Sequence, residues 1–463
     1  MTMRFLTLVL ILLFFQSCKT IEPVAPTESL KPIPAIGDVY STIGIPIEIS
    51  LKSQLNDVEK SLPKSFEGSQ QQCEGVSFDY KFNRDPIEFD FKNSSIYYEV
   101  DGKFQIKLNY CPSCVGLFGK ESCTVPRIYA SCGMNGEPMR KVTVAYNSEI
   151  SLASDYKFKS KTELKRFQLH DPCEVTVFKY DVTDKLKKEV KKELEKLERD
   201  IDKQIESINV KTMLNDTWKE LNRAIPIDKY GFLYLNPKGI SMSQLDFENK
   251  KVKLNLNLKV SPFVSTNPTE ISKTPLPNLE EYQKGKGLDM ILDIRTSYDS
   301  LSSYVNNAFK GYEFELKNKK ITVRQLDVFG TQDSKMVLKM TFDGAKSGVL
   351  YLIGTPKLDA ENQKISLDEV AFDVKTKSLL LKSAKWLFND RIIEEIKKNA
   401  IFELAPMILD AKKTINKELN STLSEGVKMN GAIEDILINE LFLDSRNLIV
   451  RTNFKGELKL KIE

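Results

Sequence analysis

A chain of 463 residues with a single histidine, His170, has little to offer acid–base or metal chemistry at neutral pH. No Gly-x-Ser-x-Gly, His-Glu-x-x-His or phosphate-cradling glycine loop occurs, so the common nucleophile, zinc-hydrolase and nucleotide signatures are missing. His170 stands beside Asp171 and Pro172, close to Cys173, and reads as a structural or solvated loop residue. Charge of one sign is lacking as well. The 68 Lys and Arg face 64 Asp and Glu, a net +4, interleaved throughout, and such a balance argues against nucleic acid as a partner. Beyond the first residues there is no apolar run of the ~18 residues a spanning helix needs. The reading is a protein that is not an enzyme and needs no cofactor or metal.

What the chain does have begins at its N-terminus. Arg4 precedes Phe5 to Phe15, a stretch that is apolar apart from Thr7. At ~1.5 Å per residue it falls well short of a ~30 Å bilayer core, so it reads as the apolar region of a signal peptide. Gln16-Ser17-Cys18 follows and is similar to a lipobox, with Phe15 where leucine is usual and Gln16 where a small residue is usual. Cys18 is therefore the expected lipidation site, closing a lipoprotein signal peptide over residues 1–18. An ordinary cleaved signal with an incidental cysteine is the alternative. Acyl chains, at ~0.8 kcal/mol per buried CH₂, would hold the body on a membrane without crossing it. Residues 19–37 carry Pro23, Pro26, Pro32 and Pro34 and read as an extended tether. The expected location is the cell envelope, as a lipoprotein of the outer membrane facing the periplasm or the exterior.

Removing Cys18 leaves Cys73, Cys111, Cys114, Cys123, Cys132 and Cys173, an even set confined to the first half. In an exported chain that suggests disulfides. A zinc site from Cys111, Cys114, Cys123 and Cys132 is the sharper alternative. Only one of its pairs has a two-residue gap, and thiols outside the cytoplasm oxidise. The spacing does not choose among the pairings.

The rest is predominantly strand signal. Ile43, Ile45, Ile47 and Ile49 alternate with other residues and share one strand face. Leu55, Val58 and Leu62 follow at helical spacing, stopped by Pro63. Alternating stretches then run from Val76 to Tyr180. The strongest helix spans about Asp181 to Ile208, where Leu186, Val190, Leu194, Leu197, Ile201, Ile205 and Ile208 form one stripe. Seven aliphatic side chains at ~2 kcal/mol each must find cover, and the preceding sheet is the nearest. Residues 264–287, with Pro268, Pro275 and Pro277, read as the boundary between a first domain at 38–263 and a second at 288–463. The second carries more strands, a short helix marked by Leu301, Val305 and Phe309, and a helical region from about Ala384 to Leu423 interrupted at Pro406.

Both halves share one order of elements, and their ends match at an offset of 196 residues. Leu245, Phe247, Val252, Leu254 and Leu258 fall on Leu441, Leu443, Leu448, Val450 and Phe454, which argues for two homologous domains.

Several dispersed motifs carry a resemblance. They are Ser41-Thr-Ile-Gly-Ile-Pro-Ile-Glu-Ile49, Trp218-x-x-Leu221 with Pro226, Phe232-Leu-Tyr-Leu-Asn-Pro237 and Leu276-Pro-Asn-Leu279. Gly348-Val-Leu-Tyr-Leu-Ile-Gly-Thr-Pro356 and Ala384-Lys-Trp-Leu387 belong with them. Over residues 38–463 the chain resembles an uncharacterised family of Gram-negative envelope lipoproteins that carries a domain-of-unknown-function label. The cysteine-rich segment from Cys73 to Cys173 departs from it. The family's order of elements is similar to the tubular lipid-binding (TULIP) fold. The resemblance implies an α+β chain of two tandem domains, each a curved antiparallel sheet wrapped on a long amphipathic helix.

That fold holds acyl chains in an apolar groove, so the expected ligand is lipid or another apolar molecule. The expected lining comes from Ala400 to Ala411, where Ile401, Leu404, Ile408 and Leu409 spread over more than one helical face. Packed core is the bland reading of the same segment. A structural lipoprotein with a protein or glycan partner and no cavity is the alternative function.

Overall fold

The computed structural model describes residues 20–26, 39–117, 120–175, 180–181, 183–227, 230–285, 287–331, 333–424 and 426–463. The fold is mixed α+β and mostly sheet, with seven α-helices among the described residues. One sheet of eighteen strands curls into a half-barrel, and a second has six.

In the first half, β1 (Ser41–Ser50) leads into α1 (Lys52–Ser61), then β2 (Ser65–Gln70), β3 (Gly75–Arg84), β4 (Glu88–Asn93) and β5 (Ser95–Cys111). Leu62, pressed towards extended backbone by Pro63, ends α1 with φ −82° and ψ 128°. β6 (Ile128–Cys132), β7 (Arg140–Leu152) and β8 (Phe158–Leu169) extend the sheet. α2 (Thr183–Glu206) and α3 (Lys211–Leu221) follow, and then β9 (Pro237–Met242), β10 (Asp246–Glu248) and β11 (Lys251–Val260). The four isoleucines of β1 do share a face: they lie opposite Leu258, Leu256, Leu254 and Val252 of β11.

The second half opens with β12 (Leu288–Ser297) and α4 (Tyr298–Phe309), whose first turn is capped by Ser297 accepting from the Ser300 amide. β13 (Lys319–Gly330), β14 (Met336–Gly344), β15 (Gly348–Asp359) and β16 (Lys364–Phe372) form an antiparallel meander. Three helices come next: α5 (Val374–Ser383), α6 (Asp390–Asn399) and α7 (Ala405–Glu418). The hairpin of β17 (Val427–Leu443) and β18 (Asn447–Ile462) closes the chain. The helical region thus starts earlier than its periodicity predicts, and its break lies ahead of Pro406. Phe402 and Glu403 pair with Ile365 and Lys364, while Pro406 sits in the first turn of α7, where a missing N–H is harmless.

The two halves meet in one sheet. β1 pairs along one edge with β11 and along the other with β12 and, in parallel, with β18. Corresponding registers recur. Ser41 faces Val260 and Ser50 faces Lys251, and Leu288 faces Gly456 and Ser297 faces Asn447. The second set is the first displaced by 247 residues on one strand and 196 on the other. Both first strands have ten residues and run into a helix.

Residues 264–287 cross this shared region pinned to it. Trp218 Nε1 donates to Thr274 O at 2.9 Å, Tyr156 Oη to Pro277 O at 2.6 Å, and the Leu279 amide to Ser154 O at 2.9 Å. Leu276 and Leu279 pack on a core that draws on both halves, including Ile43, Leu258, Leu292, Ile436 and Phe454.

The second half has its own buried core. Ile321, Val323, Leu326, Met340, Leu350 and Leu352 are fully buried in it. Ile21, inside the stretch expected as a tether, joins this core at 2% exposure. Its N–H donates to Ser347 O at 3.0 Å and its carbonyl accepts from the Val349 amide at 2.7 Å.

Candidate functional site

The first half contains an apolar sheet face that its helices only partly cover. On β3 every second residue, Val76, Phe78, Tyr80 and Phe82, is apolar or aromatic, and each lies directly opposite a β5 residue: Tyr110, Leu108, Ile106 and Phe104. Facing pairs in an antiparallel ladder share one side of the sheet, so these residues form a continuous apolar strip. Phe66 of β2 extends it beside Phe82, and Val100 and Val144 carry it towards β7. Only Ile106 in the strip's centre is buried; Val76, Tyr80 and Tyr110 are 40%, 39% and 44% exposed.

Both helices lie on this same side and are fixed to it by polar contacts at its margins. Arg84, last residue of β3, has a side chain only 3% exposed. It forks onto the Glu59 carboxylate at 2.8 and 2.9 Å and also donates to the Glu59, Leu62 and Pro63 carbonyls, clamping the end of α1. At the other margin, α2 is held by β7 and β8. Tyr146 Oη donates to Leu194 O at 3.1 Å, the Leu164 amide to Glu198 at 2.6 Å, and Thr162 Oγ1 to Asp202 at 2.6 Å. Burial pushes the Asp202 carboxyl up, but the Thr162 hydroxyl and amide outweigh it and its pKa lies below the ordinary aspartate value. Burial, aided by the nearby Tyr98 and Glu198, raises the Tyr146 phenol well above the usual tyrosine range. Val190 packs near Phe78, Phe104 and Leu108, whereas Leu197 of the same helix is 47% exposed. Between the two pinned helices Val76, Tyr80 and Tyr110 stay accessible, while Ile106 is covered and Phe78, Phe82, Phe104 and Leu108 are half-buried. Such a trough can take an extended apolar chain.

The sequence-derived residues fall as follows. Cys18 lies outside the described residues. The six other cysteines are paired as Cys73–Cys114, Cys111–Cys123 and Cys132–Cys173, with Cα separations of 5.8, 5.8 and 5.5 Å. These bridges staple the far end of the trough. Cys73 and Cys114 with Glu121 come close enough for a metal, but the disulfide occupies both thiols. His170 lies on the opposite, polar side of the sheet. Its Nε2 is 2.8 Å from Thr143 Oγ1, which donates to Asp101 at 2.5 Å. The hydroxyl is thus committed to the carboxylate, and the imidazole is not placed to take its proton.

Ile401, Leu404, Ile408 and Leu409 do not converge. Ile408 packs on the shared core, Leu404 is half-buried at the start of α7, and Ile401 and Leu409 are 47% and 56% exposed. A polar cavity of about 210 Å³ lies beside β12, lined by Asn236, Lys238, Phe263, Glu270, Ser272 and Arg295 among others. The Arg295 guanidinium stacks 4.1 Å above the Phe263 ring there, and its Nε is buried without a partner. The trough itself was missed at the sequence level, although the alternation that makes it is visible in Val76 to Phe82 and Phe104 to Tyr110.

Residues 39–462 match the family described as a domain of unknown function, DUF4403. The chain belongs to the DUF4403 family. Within it, the motifs quoted above turn out to build the fold: Trp218 straps the 264–287 segment, Gly348 to Pro356 lies in β15, and Ala384 and Leu387 are buried in the second-half core. No curated protein matches the chain. Among solved structures it is similar to the crystal structure of lipopolysaccharide binding protein, with 10% identity and a TM-score of 0.26 over 90% of this chain and 98% of that one. P47 from Clostridium botulinum A2 has 9% identity and a TM-score of 0.20 over 89% and 96%. P47 of Clostridium botulinum E1 has 10% identity and 0.23 over 90% and 99%. Likenesses of that strength carry no argument about fold or function.

Proposed function

We propose that this DUF4403 chain is a lipid-anchored envelope protein of two tandem TULIP-like units that binds an apolar ligand, a lipid, in the trough of its first half. The observation that carries the reading is the aromatic strip of β3 and β5, left half-covered between helices fixed at its two margins. An exposed apolar face of this kind costs about 25 cal/mol per Å² in water, and an acyl chain laid along it would remove that cost. The equivalent registers of β1 with β11 and of β12 with β18 support descent of the halves from one duplicated unit. The second half offers a buried side-chain core in place of such a strip. Binding is assigned to the first half alone.

The test is native mass spectrometry of protein starting at residue 19, with and without Val76→Glu and Tyr80→Glu together. Both positions are exposed enough to tolerate charge without unfolding. Added lipid mass on the parent protein that disappears in the double variant is the expected result. The buried core of the second half favours one other reading, a tethered scaffold with no ligand. A clean unliganded mass, together with no enhancement of an added apolar fluorophore, would establish that scaffold instead.

A further inference from the structure

We infer that one end of the second half is the face that meets the membrane, an anionic lipid surface, and that Ile21 is the latch that holds it there. The inference rests on the reading of Cys18 as the acylated residue. Only Lys19 and Thr20 separate Cys18 from Ile21, and the three peptide steps fully extended reach at most ~11 Å. Ile21 in turn is not free. Besides its two backbone hydrogen bonds to the start of β15, it occupies the space in which a side chain at residue 348 would stand. A Cβ on Gly348 would lie 2.2 Å from the Ile21 carbonyl oxygen and 2.6 Å from its Cβ, and Gly348 itself has φ +155°. Only glycine admits this approach. Acyl chains on Cys18 would therefore be held close to the first residue of β15, not at the end of a swinging tether.

The surface around that point suits lipid headgroups. The loop Gly344–Ser347 abuts the hairpin turn at Lys317–Lys320, where the Ala345 amide donates to Lys320 O at 2.8 Å. Lys317, Lys319 and Lys320 are exposed and Lys346 half-buried. Lys320 is paired with Glu313, whereas Lys317, Lys319 and Lys346 have no ion-pair partner among the described residues. Lys319 Nζ lies 5.0 Å over the ring of Trp386, a half-buried residue of the type enriched at membrane interfaces. Three unpaired lysines and a tryptophan, adjoining the point where the chain emerges from the lipid, are drawn to an anionic leaflet within a Debye length of about 8 Å.

The chain's two tryptophans make the test direct. Trp218 is 2% exposed in the shared core and serves as an internal reference. The full-length protein is placed in vesicles of phosphatidylethanolamine and phosphatidylglycerol carrying a headgroup nitroxide. Part of the tryptophan emission should be quenched, and Trp386→Phe should remove the quenched part. Ile21→Asp, which ejects the latch, and Gly348→Val, which fills its seat, should each reduce quenching several-fold while the protein still sediments with vesicles. Reversing Lys317, Lys319 and Lys346 to glutamate should do the same. Quenching that survives both latch variants would overturn the latch, and an acylated protein whose tryptophans are unquenched would overturn the orientation. Mass spectrometry of the Cys18 peptide separates these from failure of the underlying reading: an unacylated Cys18 removes the anchor itself.

Discussion

Replacing Arg84 by methionine tests how the trough is framed. Methionine keeps most of the volume, so little cavity cost enters. What is lost is the donor set for one carboxylate and three carbonyls at the end of α1. Removing one partner of a fully buried ion pair costs about 3–5 kcal/mol. Glu59 is 29% exposed and keeps the Ile87 amide, so water offsets part of the loss and the lower limit, about 3 kcal/mol, applies. At 1.36 kcal/mol per decade this is about two decades in the opening equilibrium of α1. Native-state hydrogen exchange of the amides of Leu55 to Leu62 reads it directly.

A pH dependence accompanies the change. Burial raises the Glu59 carboxyl, but the Arg84 hydrogen bonds and the Ile87 amide outweigh it, and its pKa lies below the ordinary value of 4.5. A depressed carboxylate stabilises the fold fully above that ordinary value, and the gain is lost as pH falls through the folded value. The opening free energy of the parent α1, corrected for the intrinsic exchange rate at each pH, should therefore fall on acidification, and that of Arg84→Met should be nearly flat across the same window. Unchanged α1 exchange in the variant at neutral pH would refute the clamp.

Converting Cys132 and Cys173 together to serine opens a bridge spanning 41 residues and should cost about 4 kcal/mol in chemical denaturation, with α2 loosened at its start. A loss below ~1 kcal/mol would show that the strand ladder alone fixes this end. Tyr156→Phe keeps the ring but leaves Pro277 O without its donor. It should cost about 1–2 kcal/mol, read as a lower denaturation midpoint with an unchanged slope. Asp293→Ala leaves the Arg451 guanidinium, which is 12% exposed and forked onto that carboxylate at 2.8 and 3.0 Å, with only the longer contact to Glu440 at 3.5 Å, and should cost about 3 kcal/mol. Asp293→Leu combined with Arg451→Met should recover much of the loss in the same equilibrium measurement.

The local elements were legible because their periodicities are local facts. Alternating isoleucines fixed the face of β1, and a stripe from Leu186 to Ile208 located α2 to within two residues at each end. The cysteines announced disulfides but not their pairing. Partnership depends on register, which sets Cys111 beside Gly75 and Cys132 beside Ile106 across β5. The trough was illegible for a related reason. Val76 to Phe82 alternates like any strand with one buried side, and nothing nearby in sequence says whether a helix covers that side. Contacts such as Arg84 to Glu59 and Thr162 to Asp202, 25 and 40 residues apart, decide where the helices come to rest. Ala400 to Ala411 misled in the opposite direction. Its apolar excess reads as two working faces, yet α7 lies at the margin of the shared core and none of its residues is fully buried. Ile21 gave no signal, being one of several scattered aliphatics in a proline-rich stretch, and its seat is a missing side chain more than 300 residues away.

The ladder that joins β1 to β11, β12 and β18 makes the two halves mechanically inseparable. Cutting the gene between them would expose raw strand edges on both products, which invites aggregation in place of two tidy modules. A pull applied ahead of Ile21 would load its hydrogen bonds to β15 before it could reach the trough. Heating should likewise melt the hinge-free midsection in one step, with no intermediate in which one half survives its neighbour.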